Sequence, residues 1–278
     1  MKQVAIVGVG LIGGSFALAL RRSGFNGRIS GVSSPATIER AMQMGVVDTG
    51  GTLAEACADA DLIYLAQPIS AILDTIRKLR GIAKPDALVT DAGSTKHRIV
   101  TAAQEHLSGT RFLGGHPMAG KETRGVAGAD AELFRGRPYV LCPSGVAADE
   151  SFVELLKRIG ARVEICGAEE HDRLVAFSSH LAQLASTALA ATIQETSPES
   201  IRVAGPGLVD ATRLALSNYD LWRDILATNS LAITEALTAY IGKLEHLREN
   251  LRSRELQREF EAGANLARAL REQNHPAV

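Results

Sequence analysis

The chain has 278 residues, of which 46% are hydrophobic and 22% charged, and its formal net charge is -1. That length accommodates two domains with ordinary cores, and the composition excludes a disordered or fibrous chain. The near-neutral charge gives no footprint for general nucleic-acid or membrane binding. Cys57, Cys142 and Cys166 are odd in number, widely spaced and not in CxxC form, which argues against a disulfide framework or a metal site and fits a cytoplasmic setting.

The first element is an apolar, β-branched strand (Val4, Ile6, Val7) that ends in Gly8-x-Gly10-x-x-Gly13, with Leu11 and Ile12 between the last two glycines. A helical pattern follows at once. In that context Gly8 permits a tight turn, Gly10 lets backbone approach a pyrophosphate and Gly13 allows close helix–strand packing, with the helix N-terminus facing the phosphate. As a signal peptide or membrane span, the Val4–Leu20 run is short and carries four glycines. Strand patterns then recur at 28–32, 62–66, 87–90, 112–114, 139–142 and 162–166, separated by helical patterns at 35–44, 69–80, 96–106 and 149–159. This alternation predicts an α/β, Rossmann-type domain, a mostly parallel sheet covered on both faces. From residue 168 the strands stop and helical patterns run over 169–196, 198–204, 208–216, 219–250 and 253–272, with Ser217-Asn218 a break and restart. No later segment reads as a membrane span. We therefore expect a dinucleotide-binding domain over 1–166 and an all-helical substrate and dimerisation domain over 167–278. The apolar stripe over 231–251 needs a partner surface, as helices paired across a dimer axis provide.

Ligands of open α/β sheets bind beyond the carboxyl ends of the strands. Gln67-Pro68 sits at one such end, over the expected nicotinamide position. Asp91-Ala-Gly-Ser94-Thr-Lys sits at a second; Ser94 can donate a hydrogen bond to a ligand or cap the next helix, and spacing leaves both open. Gly114-Gly115-His116-Pro117 is the third, and it predicts an exposed histidine just past a strand. His97, His106, His246 and His275 fall on polar helix faces or the tail, His171 in the first turn of a helix, and His180 in an interior position. Arg213 lies in an apolar segment near the only tryptophan, Trp222, and is a candidate bidentate carboxylate clamp rather than a surface charge. Beyond the glycines, the position where an NAD-selective loop carries an acid holds Ser33-Ser34, with no acid until Glu39. Two hydroxyls can donate to a 2′-phosphate, so NADP is expected in preference, with NAD also used.

VGLIGGS at 9–15, DAGSTK at 91–96, GGHPMAG at 114–120, HDRLVAFSSHL at 171–181 and DATRLALSNYDLWRDI at 210–225 together resemble the prephenate/arogenate dehydrogenase (TyrA) family, in order and over essentially the whole chain. The resemblance implies oxidative decarboxylation in the last step to tyrosine. Hydride leaves C4 of the cyclohexadiene for the nicotinamide, the 4-hydroxyl loses its proton and the C1 carboxylate departs as CO2. By position it implies that His116 takes the hydroxyl proton, Ser94 orients the hydroxyl and His116, and Arg213 holds a carboxylate, with Glu122, Ser179, His180, Gln183 and Trp222 lining the substrate pocket. Gln183 stands where many prephenate-selective members have a histidine, which leaves the choice between prephenate and arogenate open. Lys121 replaces a small hydroxylic residue. Two other readings compete. A β-hydroxyacid or imine-reducing dehydrogenase would share the plan, but the former uses a lysine on the helical domain, and Lys243 is the only lysine after residue 166. A non-enzymatic NAD(P)-binding redox sensor would not require His116, Ser94 and Arg213 together.

Overall fold

The computed structural model describes residues 1–107, 109–145 and 148–274; His275 lies outside them. In chain order the elements are β1 (Gln3–Val7), α1 (Leu11–Arg22), β2 (Arg28–Val32), α2 (Pro35–Gln43), β3 (Thr49–Gly50), α3 (Leu53–Cys57), β4 (Leu62–Leu65), α4 (Ile69–Leu79), β5 (Leu88–Asp91), α5 (His97–His106), β6 (Arg111–Pro117), β7 (Pro138–Pro143), α6 (Glu150–Arg158) and β8 (Arg162–Ile165). Helices alone follow: α7 (Ala168–Val175), α8 (Leu181–Thr196), α9 (Pro206–Thr212), α10 (Tyr219–Thr228), α11 (Ser230–Glu249) and α12 (Leu256–Asn274).

The strands form one sheet in the order β3-β2-β1-β4-β5-β6-β7-β8, parallel throughout except where β7 runs antiparallel to β6. Strand alternation sorts the central side chains onto two faces. Val4, Ile6, Leu62 and Tyr64 pack with α1 and α6, where Phe16 stacks on Tyr64 at 3.9 Å between centroids and the Tyr64 hydroxyl meets that of Tyr139 at 3.0 Å. Ala5, Val7, Ile63 and Leu65 pack with Ile72 and Ile76 of α4 and Ile99 of α5. The central strands β1 and β4 are thus buried on both faces, as continuous apolar strands require.

Several elements differ from the sequence expectation. The short β3 and α3 have no long apolar run to announce them, although Thr52 and Glu55 form a capping box, a signal readable as T-x-x-E. The strand expected at 112–114 extends through Pro117, because His116 and Pro117 pair with Val140 and Tyr139 of β7. The helix expected over 169–196 carries a π-helical turn at Ala176–His180. That expected over 219–250 breaks at Asn229, whose side chain donates to the Asp172 carbonyl oxygen at 2.7 Å. Residues 213–216 form a 3-10 turn rather than more of α9. The expectation that no later segment has the composition of a span also needs correcting. Residues Ala168–Thr196 form a 29-residue helical course whose most apolar window has a mean hydropathy of 1.3, since α8 is rich in Ala and Leu.

The helical half has little core of its own: Ala176, Ile233 and Ala236 are its buried apolar cluster. Ile201, Val203, Val209, Leu231, Leu251 and Phe260 stay largely exposed within a single chain.

Candidate active site

The Gly-rich turn is built for a dinucleotide. Gly8 has φ of 98°, and a Cβ there would come within 2.6 Å of the Ala66 carbonyl oxygen, while a Cβ at Gly13 would collide with the Gly8 carbonyl. At Gly10, in contrast, a Cβ would meet nothing within 4 Å. Gly10 is the N-cap of α1 and supplies no side-chain cap, so the first-turn N–H groups remain available to an anion. Gly8, Gly10, Val32, Ser33 and Thr37 line a cavity of about 320 Å³ that Gln67 and Pro68 share with a larger one. Ser34 does not line it; its hydroxyl caps α2, accepting from the N–H of Thr37. These residues fit a dinucleotide phosphate and ribose.

The larger cavity, about 720 Å³, lies at the carboxyl edge of the sheet, where the helical half closes over it. Leu11, Ile12, Gln67, Pro68, Ser94, His116, Glu122 and Arg213 all line it. Arg213 is exposed and has no ion-pair partner among the described residues. Lys121 at the rim pairs with Asp130 at 2.6 Å, which accounts for a charged residue there.

His116 is not the exposed loop residue expected from its glycines. It sits within β6 and is 8% exposed, because pairing with β7 carries the strand through it. Its Nδ1 lies 2.8 Å from Nε2 of His171, and His171 Nδ1 lies 2.8 Å from Asp172 Oδ1. Burial pushes His116 well below the usual histidine range, and the neighbouring His171, Lys96 and His180 push it the same way. A neutral imidazole with a free Nε2 therefore faces the cavity.

Asp91, expected against the cofactor, is fully buried beneath the site. It pairs with the equally buried Lys96 and accepts the N–H groups of Gly93 at 2.8 Å and Gly115 at 3.1 Å. Lys96 also donates to the Gly115 carbonyl at 2.7 Å, so this pair clamps the DAGSTK loop to the strand that carries His116.

Four further residues expected in the substrate pocket do not line the cavity: Ser179, His180, Gln183 and Trp222. Gln183 is buried, and its amide donates to Thr187 and to the Leu214 carbonyl, while the Ser186 hydroxyl accepts from Ala215 N–H. Both residues of α8 thereby hold the turn that presents Arg213. His180 packs edge-on to Trp222 at 5.7 Å, and burial pushes its imidazole down to about 4.

Sequence reasoning missed the residues that join the two halves. Neither α4 nor α5 carries a side-chain cap of its own. Asp172 of α7 accepts the N–H groups of Lys96 (2.7 Å) and His97 (2.9 Å), and Asp224 of α10 accepts that of Ser70 at 2.9 Å. Hydrogen bonds from Ser70, from its side chain and then its backbone, hold Asp224 below the usual carboxylate range. A short acid after a histidine (His171-Asp172) was the available signal, but nothing local says which helix it caps.

Residues 16–165 match the family model described as prephenate dehydrogenase, nucleotide-binding domain, and residues 167–272 that of the prephenate dehydrogenase dimerization domain. The prephenate dehydrogenase of Lactococcus lactis subsp. cremoris is 32% identical over 279 aligned residues, covering 97% of this chain and 78% of the relative. The crystal structure of prephenate dehydrogenase from A. aeolicus in complex with hydroxyphenyl propionate and NAD+ is similar with a TM-score of 0.87, 34% identity and 98% of each chain covered. Synechocystis arogenate dehydrogenase is similar with a TM-score of 0.83 and 33% identity over 97% of this chain and all of that one (100%). Neither a β-hydroxyacid-type enzyme nor a redox sensor is favoured by these matches. The sheet, the glycine turn, the histidine beneath the cavity and two adjoining family matches make this chain a member of the prephenate dehydrogenase family.

Proposed function

We propose that the protein oxidises and decarboxylates prephenate or arogenate, giving 4-hydroxyphenylpyruvate or tyrosine, and that it draws on NADP in preference to NAD. The observation that carries this reading is a neutral, buried His116 whose free Nε2 opens onto a cavity also lined by Ser94 and Arg213, beside the glycine turn. A bound nicotinamide dinucleotide supplies the hydride acceptor. Gly10 and the first turn of α1 would hold its phosphates.

The protein's own part is positioning and proton transfer. His116 Nε2 accepts the proton of the 4-hydroxyl as C4 is oxidised, which suits a base that is unprotonated near neutrality. Ser94 donates to the same hydroxyl oxygen and fixes its approach. The guanidinium of Arg213 pairs with a substrate carboxylate and orients the ring. The ring carboxylate then leaves as CO2, and aromatisation makes the step irreversible.

Preference for NADP is supported by Ser33 and Thr37 at the smaller cavity and by the lack of any acid among the described residues lining it. Pairing of two copies through the helical half is supported by its scant core and exposed apolar side chains. A cytoplasmic setting is supported by three free cysteines.

The test is absorbance at 340 nm with purified protein, each of the two substrates and each of the two cofactors. Turnover of neither substrate would refute the reading. NAD working at least tenfold better than NADP would refute the cofactor preference.

A further inference from the structure

Two further buried polar groups stand behind His116. His171 is 1% exposed and Asp172 is 5% exposed, and both lie on α7 rather than on the sheet that carries His116. The three side chains stand in line. Asp172 Oδ1 is 2.8 Å from His171 Nδ1, and His171 Nε2 is 2.8 Å from His116 Nδ1.

Hydrogen-bond chemistry fixes the protons along this line. A carboxylate only accepts, so His171 carries its proton on Nδ1 and presents a bare Nε2. His116 must then donate from Nδ1, which leaves its own Nε2 bare toward the cavity. That is the tautomer a base for the 4-hydroxyl needs, and it is imposed from α7.

We propose that His171, held by Asp172, is the positioning residue for His116 and takes up the Nδ1 proton that His116 releases as its Nε2 gains the substrate's proton. As the substrate O–H bond breaks, a new N–H bond forms at His116 Nε2. The Nδ1–H bond of His116 breaks in turn, and its proton bonds to His171 Nε2. His116 ends neutral, His171 ends as an imidazolium, and Asp172 stays ionised with the N–H groups of Lys96 and His97 on its oxygens. The electrons of the oxidised C4 follow the route of the established family reaction, so no further oxidant is involved.

The surrounding charges favour this destination. A cation on His116 would face Lys96 from the loop before α5, His171 from α7 and His180 from the π-helical turn, all unfavourable, on top of burial. A cation on His171 would also be opposed by burial and by Lys96, yet it gains the hydrogen bond and charge of Asp172 and the charge of Asp91 from β5. From the break between α10 and α11 comes the neutral Asn229, which donates to the Asp172 backbone carbonyl.

This inference rests on the proposed dehydrogenase activity, and wild-type turnover separates the two: an inactive wild type refutes the activity, whereas an active wild type allows the relay to be tested. His171→Asn is too short to bridge His116 and Asp172. It should lower kcat by about 10- to 100-fold, less than the loss of the direct base, with both KM values within twofold. A kcat within twofold of wild type, or a loss carried by KM rather than by kcat, would overturn the proposal. In case the variant does not fold, wild-type rates in mixtures of light and heavy water give an independent reading. A curved dependence on deuterium fraction, as two protons in flight produce, supports the relay, and a linear or absent one overturns it.

Discussion

Replacing Lys96 with methionine removes one side of a wholly buried ion pair while conserving most of the side-chain volume. Asp91 would keep the Gly93 and Gly115 N–H groups but lose its countercharge, and the Gly115 carbonyl would lose its donor. Breaking a buried pair from one side costs about 3–5 kcal/mol, because an uncompensated charge stays behind. For a chain of this size, that corresponds to a fall in Tm of roughly 6–20 °C. Adding Asp91→Asn removes the stranded charge and should recover half or more of the loss. Urea unfolding followed by far-ultraviolet circular dichroism, at one protomer concentration, measures both variants. The same substitution has a kinetic signature. Lys96 is one of the groups that hold His116 below its ordinary range, so without it the imidazole protonates at higher pH. The acid limb of kcat/KM should therefore shift upward. A Lys96→Met protein within 1 kcal/mol of wild type, or a double variant no more stable than the single one, would refute the reasoning.

Loss of the base itself should be more severe in rate and milder in binding. His116→Asn should cut kcat by about 10²–10⁴ with cofactor affinity kept, as rate at 340 nm and cofactor titration by protein fluorescence would show; near-normal kcat would remove His116 from its role. Arg213→Ala should act mainly on KM, by about 30-fold or more, with Arg213→Lys recovering only part because the planar fork is lost. Substrate binding equal to wild type would mean that Arg213 holds no carboxylate. Ser33→Asp should lower kcat/KM for NADP more than for NAD, as an acid repels a 2′-phosphate; equal losses would count against Ser33 as a cofactor contact.

The sheet half was legible because its longer strands are short, largely apolar runs and, α3 apart, the helices between them have their own apolar period. The glycine turn was legible for a stronger reason: Gly8 and Gly13 each occupy a place where any side chain would collide. The strand through His116 was cut short because Gly115 and Pro117 have low strand propensity, and it is pairing with β7 that makes them a strand. Asp91 stands at the end of a strand, where a ligand contact and an inward clamp have the same local sequence. Only the burial of Lys96, five residues on, distinguishes them. Gln183 was assigned to the pocket from its position in a motif, but its amide is spent on the Leu214 carbonyl. The line from His116 to His171 spans 55 residues and two elements, and no spacing rule in a single sequence reaches that far.

The carboxylates of Asp172 and Asp224 finish two helices that begin in the other half of the chain. The halves are consequently not portable modules. Severed after residue 166, the sheet would retain its glycine turn, yet α4 and α5 would begin at the cavity with unmet amides, each cap being worth about 0.5–2 kcal/mol. A chimera that borrows its helices from a relative would need acids aligned at both positions to restore the walls of the cavity. Catalytic competence is thus acquired only when the helical half docks, and the rate of turnover during refolding would time that event.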